Sequence, residues 1–157
     1  MIKAATMLAL LAASAGAVHA QEDSKAMDIT RKSDLKTVSG PKEYFTGNAT
    51  ITGQFQRSDP SRVSGAIVHF EAGARTAWHT HPAGQTLIVI SGLGRVQREG
   101  GPIEEIRPGD VVWVEPNEKH WHGASANKAM SHVAIQEDVN GEVVTWMDKV
   151  SDDQYSK

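Results

Sequence analysis

A chain of 157 residues, 39% apolar and 22% charged, is long enough for one domain with a packed core and too short for two of ordinary size. Its 16 basic and 19 acidic residues, with a formal charge of -3 and no basic run, exclude the electrostatic footprint of a nucleic-acid binder and the polybasic patch of an anionic-lipid binder. The absence of cysteine excludes disulfides, thiolate ligation and a cysteine nucleophile, which leaves the seven histidines to carry any metal or proton chemistry.

In chain order, Met-Ile-Lys, an Ala/Leu-rich run from Ala4 to Val18 and the polar break Gln21-Glu-Asp-Ser-Lys predict a secretory signal peptide over 1–20, cut after Ala20. The apolar run is shorter than the roughly 20 residues that span a bilayer, so the mature protein is expected in the periplasm or outside the cell with no membrane anchor. Residues 21–36 read as a polar arm able to pair with a neighbouring subunit, and 37–157 as the folded domain. After Gly40-Pro41 the pattern becomes short strands punctuated by turn residues. Strands are predicted over Thr50–Gln56, Val63–Phe70, Trp78–His81, Gln85–Ile90, Gly94–Glu99, Ile103–Ile106, Val111–Val114, His120–Ala124, Met130–Gln136 and Val143–Met147. Evenly spaced short strands without a helical period predict an all-β antiparallel sandwich or small barrel. Ser151-Asp-Asp-Gln154 is a capping box that predicts a short C-terminal helix.

Side chains alternate along a strand, so His79 and His81 of Trp78-His-Thr-His share one face. Gln85 follows the Pro82-Ala-Gly84 turn, where a return strand brings its carboxamide beside that pair. A second pair, His120-Trp-His122, opens another strand, and two such pairs facing into one barrel point to a metal site built from imidazole and oxygen.

The spacing Gly73-(x)5-His79-x-His81-(x)3-Gln85-(x)6-Gly92, and His120 eleven places after Gly109, resemble the two motifs of the cupins. The chain departs from the pattern in having Gln85 for the usual glutamate, Asn117 for a glycine, Ala124 for an asparagine, and Pro116 displaced by one place. The resemblance runs from Val63 to Gln136 and implies a double-stranded β-helix holding one metal ion on His79, His81, Gln85 and His120, with motif register favouring His120 over His122. The strings Gly65-Ala-Ile-Val-His-Phe, His79-Thr-His-Pro-Ala-Gly-Gln-Thr-Leu-Ile-Val and His120-Trp-His-Gly-Ala are similar to the small manganese-dependent bacterial cupins with hydroxynitrile lyase activity. That resemblance implies manganese as the ion, with Fe, Co, Ni or Zn acceptable to the same ligands, and a substrate space lined at Ala66 and Val68.

Three neutral imidazoles and a neutral amide leave a divalent ion's full charge in place, which suits polarising an oxygen better than cycling iron through its trivalent state. Strand parity puts His132, Ala134 and Gln136 on one face and Ala66, Val68 and Phe70 on another, so a polar pocket is expected beside the ion. His69 falls on the opposite parity and reads as structural, and Trp78, Trp113, Trp121 and Trp146 read as packing residues.

The function implied by the resemblance is reversible cleavage of cyanohydrins such as mandelonitrile to an aldehyde or ketone and hydrogen cyanide. His122 is the first and His132 the second candidate for general base, with Gln136 beside the departing cyanide. The partners expected are a small-molecule substrate and further copies of the chain, as a dimer or tetramer. A dioxygenase or isomerase on a small phenolic or keto acid, and a non-catalytic periplasmic metal- or ligand-binding module, are the competing readings.

Overall fold

Period-two alternation between turn residues produces strands that bury one side. The computed structural model describes residues 27–156, so the signal peptide expected over 1–20 and the first residues of the arm, 21–26, lie outside the described residues. The strands are β1 (Thr37–Ser39), β2 (Phe45–Thr46), β3 (Ala49–Gln56), β4 (Val63–Phe70), β5 (Arg75–Thr76), β6 (His79–Thr80), β7 (Gln85–Gly92), β8 (Gly94–Arg98), β9 (Glu104–Ile106), β10 (Val111–Val114), β11 (His120–Ala124), β12 (Met130–Glu137) and β13 (Thr145–Trp146). One helical turn, α1 (Asp152–Tyr155), closes the chain.

Two antiparallel sheets face each other. The first runs β1-β3-β4-β12-β7-β10; the second runs β13-β6-β11-β5-β2, with β8 on the other edge of β11 and β9 beyond it. Their inner faces meet in an apolar layer of Phe45, Val68, Phe70, Val89, Val96, Ile106 and Met130 that fills one end of the sandwich. The other end is left open as a cavity with apolar walls and a few converging polar groups. On the outer face of the first sheet Ile67, Val133, Ile88 and Val111 stand in register across four strands, an uncharged row continued by exposed Trp113 on β10.

Every residue of β11 is buried, because both faces are covered. His120 and His122 point inward, while Trp121 points outward under the C-terminal segment and packs on Tyr155 and Val150. Tyr155 in turn lies between the guanidinium groups of Arg75 and Arg95, 4.6 and 5.1 Å from its ring, and its hydroxyl donates to the Ala124 carbonyl at 2.8 Å. The capping box forms as the sequence predicts: Ser151 Oγ accepts from the Gln154 amide at 3.2 Å and Gln154 Oε1 accepts from the Ser151 amide at 2.9 Å.

The strand predicted over Trp78–His81 is shorter, because its edge partners change along it. The Ala77 amide donates to the Tyr44 carbonyl, the Trp78 amide to Asp148, and only His79 and Thr80 continue into the ladder with β11 and β13. Strands β1, β2 and β5 have two or three residues, too few for alternation to register in the sequence. The edge of β3 is paired by β1 of the same chain. Among the described residues no helix is long and apolar enough to cross a membrane.

Candidate metal centre and its cavity

Gly84 makes the return from β6 to β7. Its φ of +79° suits glycine, and a Cβ there would sit 2.6 Å from the Trp113 ring and from the Val114 carbonyl oxygen. The tight return sets Gln85 at the start of β7 beside the two histidines of the preceding segment. On β11, His120 stands directly opposite His79 in the ladder. The rings of His79 and His120 are 4.2 Å apart, His81 lies 5.1 Å from His79 and 5.7 Å from His120, and His122 lies 5.2 Å from His79. One ring nitrogen from each of His79, His120 and His122 falls within 4.8 Å of the other two, with His81 flanking the trio.

Backbone carbonyls decide which nitrogens of these rings face inward. His79 Nδ1 bonds the Ala77 carbonyl at 3.0 Å, His81 Nδ1 that of Val143 at 2.7 Å and His120 Nδ1 that of Glu118 at 2.9 Å. A carbonyl only accepts, and a neutral imidazole has one N–H, so Nε2 of all three presents a lone pair to the interior. Burial keeps them neutral: it pushes His120 down to about 4, lowers His81, and with the neighbouring His120 and His81 lowers His79 further.

Two observations test this cluster for a cation. His81 Nε2 and His122 Nε2 are buried with no protein partner. His120 Nε2 stands 3.1 Å from Gln85 Oε1, and since the only proton of that ring is spent on Glu118, two acceptors face each other. Facing lone pairs in a dry interior repel, and a cation between them turns both into ligands. Three imidazoles and an amide oxygen, with no carboxylate or thiolate, fit a divalent first-row metal.

His122 differs from the other three. Its Nδ1 meets His132 Nε2 at 3.0 Å instead of a carbonyl, so one ring donates to the other, and when His122 Nδ1–H is the donor its Nε2 is a lone pair. Beside this pair opens a cavity of about 500 Å³, walled by Ser64, Ala66, Val68, Gln136 and Trp146, with His79, His81, Gln85 and His122 at its floor.

Residues 66–135 match the cupin domain family. Over 131 residues the chain is 56% identical to the (R)-mandelonitrile lyase of Granulicella tundricola, an alignment covering 83% of this chain and 100% of that one. The chain is a cupin. A cupin-like protein of Thermotoga maritima superposes with a TM-score of 0.70 at 36% identity, over 74% of this cupin and 89% of that chain. The polyketide cyclase RemF of Streptomyces resistomycificus superposes with a TM-score of 0.63 at 15% identity, over 83% and 92%, and shares the fold alone.

In this cupin the expected ligands His79, His81, Gln85 and His120 do converge, and His122 joins them more closely than the reading of its role as a base anticipates. Ala66, Val68 and Gln136 line the cavity as expected. Phe70 does not. It points inward as parity requires, but at the filled end of β4, where it is fully buried against His122 and His132 with ring separations of 5.9 and 5.5 Å. His132 is likewise sealed off and meets the cavity only through His122. Trp146, read as packing, is a cavity wall whose ring lies 4.8 Å from His79 and stacks on Tyr44 at 4.7 Å. His69 sits on the outer face bonded to Ser131 at 2.8 Å, in keeping with a structural role. Ser64 was missed, although its parity with Ala66 and Val68 carries the signal; Val143 and Trp146 left none, because only tertiary pairing brings them here.

Burial of neutral histidines makes the metal-free cupin acid-sensitive. The folded pKa values of His120 and His132, about 4, lie below the unfolded 6.5, so between these limits the unfolded chain binds more protons and stability falls as pH falls. A pKa lowered from 6.5 to about 4 costs about 3 kcal/mol per histidine over that window. Urea midpoints of metal-free protein should therefore decline steeply below pH 6.5; a midpoint constant from there down to pH 4 would contradict the buried neutral cluster.

Proposed function

We propose that this cupin, a lyase by its identity to the Granulicella enzyme, reversibly cleaves α-hydroxynitriles such as mandelonitrile into an aldehyde or ketone and hydrogen cyanide. The observation that carries the reading is the juxtaposition of an all-neutral donor set with a buried, partnerless His122 Nε2 at the floor of a largely apolar cavity. We assign the ion to His79, His81, Gln85 and His120, with manganese preferred and Fe, Co, Ni or Zn compatible. A divalent cation bound there supplies a Lewis acid of undiminished charge that polarises the substrate hydroxyl.

The protein does the rest. Val68, Ala66 and Trp146 take the substrate's apolar group and exclude water, leaving the hydroxyl near His122. His122 Nε2 accepts the hydroxyl proton, and its charge is shared across the 3.0 Å contact with His132. The oxygen's electron pair forms the carbonyl as the bond to the nitrile carbon breaks. Cyanide leaves with the bonding pair, past Gln136, and takes the proton back from His122 as hydrogen cyanide. No oxidant or reductant enters.

Benzaldehyde release from mandelonitrile tests the proposal, and a protein loaded with each of the candidate metals that released none would reject it. Gln85→Glu separates this chemistry from simple binding: the carboxylate should hold metal at least as well while slowing cleavage about tenfold or more, because it lowers the positive charge opposing the developing oxyanion. A faster Gln85→Glu variant would reject this account of the ion's charge, and dioxygen consumption by the iron-loaded protein would favour the dioxygenase reading instead. The proposal has the enzyme exported and self-associated; the exposed row of Ile67, Ile88 and Val111 on the outer sheet supports association, and fractionation and mass in solution measure both.

A further inference from the structure

We propose that Ser64 is a positioning residue that decides which end of the Gln85 carboxamide faces the metal centre. The inference rests on the ligand role proposed for Gln85. The two ends of a carboxamide have nearly the same shape, but only the oxygen binds a cation, so something must forbid the flipped amide.

The polarity is set from a distance by one hydroxyl. Ser64 on β4 stands opposite Gln136 on β12 and is buried. Its Oγ–H donates to the Gln136 backbone carbonyl at 3.3 Å, and because a carbonyl only accepts, the hydroxyl proton is spent there. Ser64 Oγ is left as an acceptor and receives Gln136 Nε2–H at 3.1 Å. Gln136 Oε1 must then face Gln85, where it accepts Gln85 Nε2–H at 3.4 Å. That last bond turns Gln85 Oε1 inward, 3.1 Å from His120 Nε2.

Nothing at the inner end holds the amide this way. His120 Nε2 is a lone pair, its ring proton being bound to the Glu118 carbonyl, so in the metal-free protein a flipped Gln85 would donate Nε2–H to it and gain a hydrogen bond. The observed orientation is unfavourable for the empty cluster and favourable for a filled one. The Ser64–Gln136 chain therefore holds the site ready for metal, although Ser64 touches neither the histidines nor the ion.

The test is metal affinity of purified metal-free protein, titrated with Mn(II) and Zn(II) against a competing chelator dye. Ser64→Ala frees both amides to flip and should weaken binding about 10-fold, the low end of the cost of losing a ligand's outer hydrogen-bond partner, because Ser64 reaches Gln85 only through Gln136. Ser64→Thr keeps the hydroxyl and should restore the affinity. The decisive measurement repeats Ser64→Ala in a Gln85→Glu background: a carboxylate has two equivalent oxygens and no flipped state, so the loss should vanish. Unchanged affinity in Ser64→Ala, or the same loss in both backgrounds, overturns the proposal. A parent protein that binds neither metal would instead overturn the metal-centre reading on which it rests.

Discussion

Stripping divalent metal from the purified enzyme should abolish mandelonitrile cleavage, and Mn(II) should restore it. In the metal-free site His122 alone would have to remove a proton from an alcohol, a group far less acidic than its conjugate imidazolium. The missing Lewis acid withdraws several kcal/mol of charge stabilisation, a loss of about 10³-fold or more at 1.4 kcal/mol per tenfold. Dialysis against a chelator, elemental analysis before and after, and a rate measurement at each stage check this. Cleavage that survived complete metal removal would reject the chemistry even with all the donors correctly placed. Unchanged circular dichroism through the cycle would show that the loss is chemical and not unfolding.

Replacing His122 with alanine should lower kcat by about 10²–10⁴-fold, the usual contribution of a positioned general base, while metal content stays near one ion per chain. The distinction is needed because His122 offers a ring nitrogen within 4.8 Å of those of His79 and His120. If His122→Ala lost the ion along with the activity, His122 would be a ligand and the base would have to be sought elsewhere. The geometry favours the base. His79, His81 and His120 each have Nδ1 anchored on a carbonyl, which fixes the tautomer a ligand needs, whereas His122 Nδ1 meets a second imidazole that can take or give a proton. His132→Phe should cost less than His122→Ala, because His132 reaches the cavity only through its neighbour.

The histidine centre was largely legible before any fold was known. Period-two parity places His79 with His81 and His120 with His122 on common faces, and the structure pairs His79 with His120 across β6 and β11. The strands over Val63–Phe70, Val111–Val114 and His120–Ala124 have the bounds read from alternation, since each is bracketed by turn residues. Phe70 shows where parity stops: it fixes the inward face correctly but not whether that depth of the sandwich is open or filled, which depends on Met130, Phe45 and Val89 arriving from three other strands.

Local spacing determined the longer strands, the shared faces and the donor types of this protein, because alternation and turn chemistry act over a few neighbouring residues. It also determined two of the tautomers, as the carbonyls that hold His79 and His120 lie two residues upstream of each ring. Tertiary structure alone decided the remainder. The Val143 carbonyl that fixes His81 is 62 residues away, Trp146 reaches His79 from a two-residue strand, and the Ser64 hydroxyl orients Gln136 across 72 residues of sequence. Such contacts arise when separate strands and the clasped C-terminal segment pack around one cavity, and no local periodicity encodes which polar atoms of distant segments will meet there.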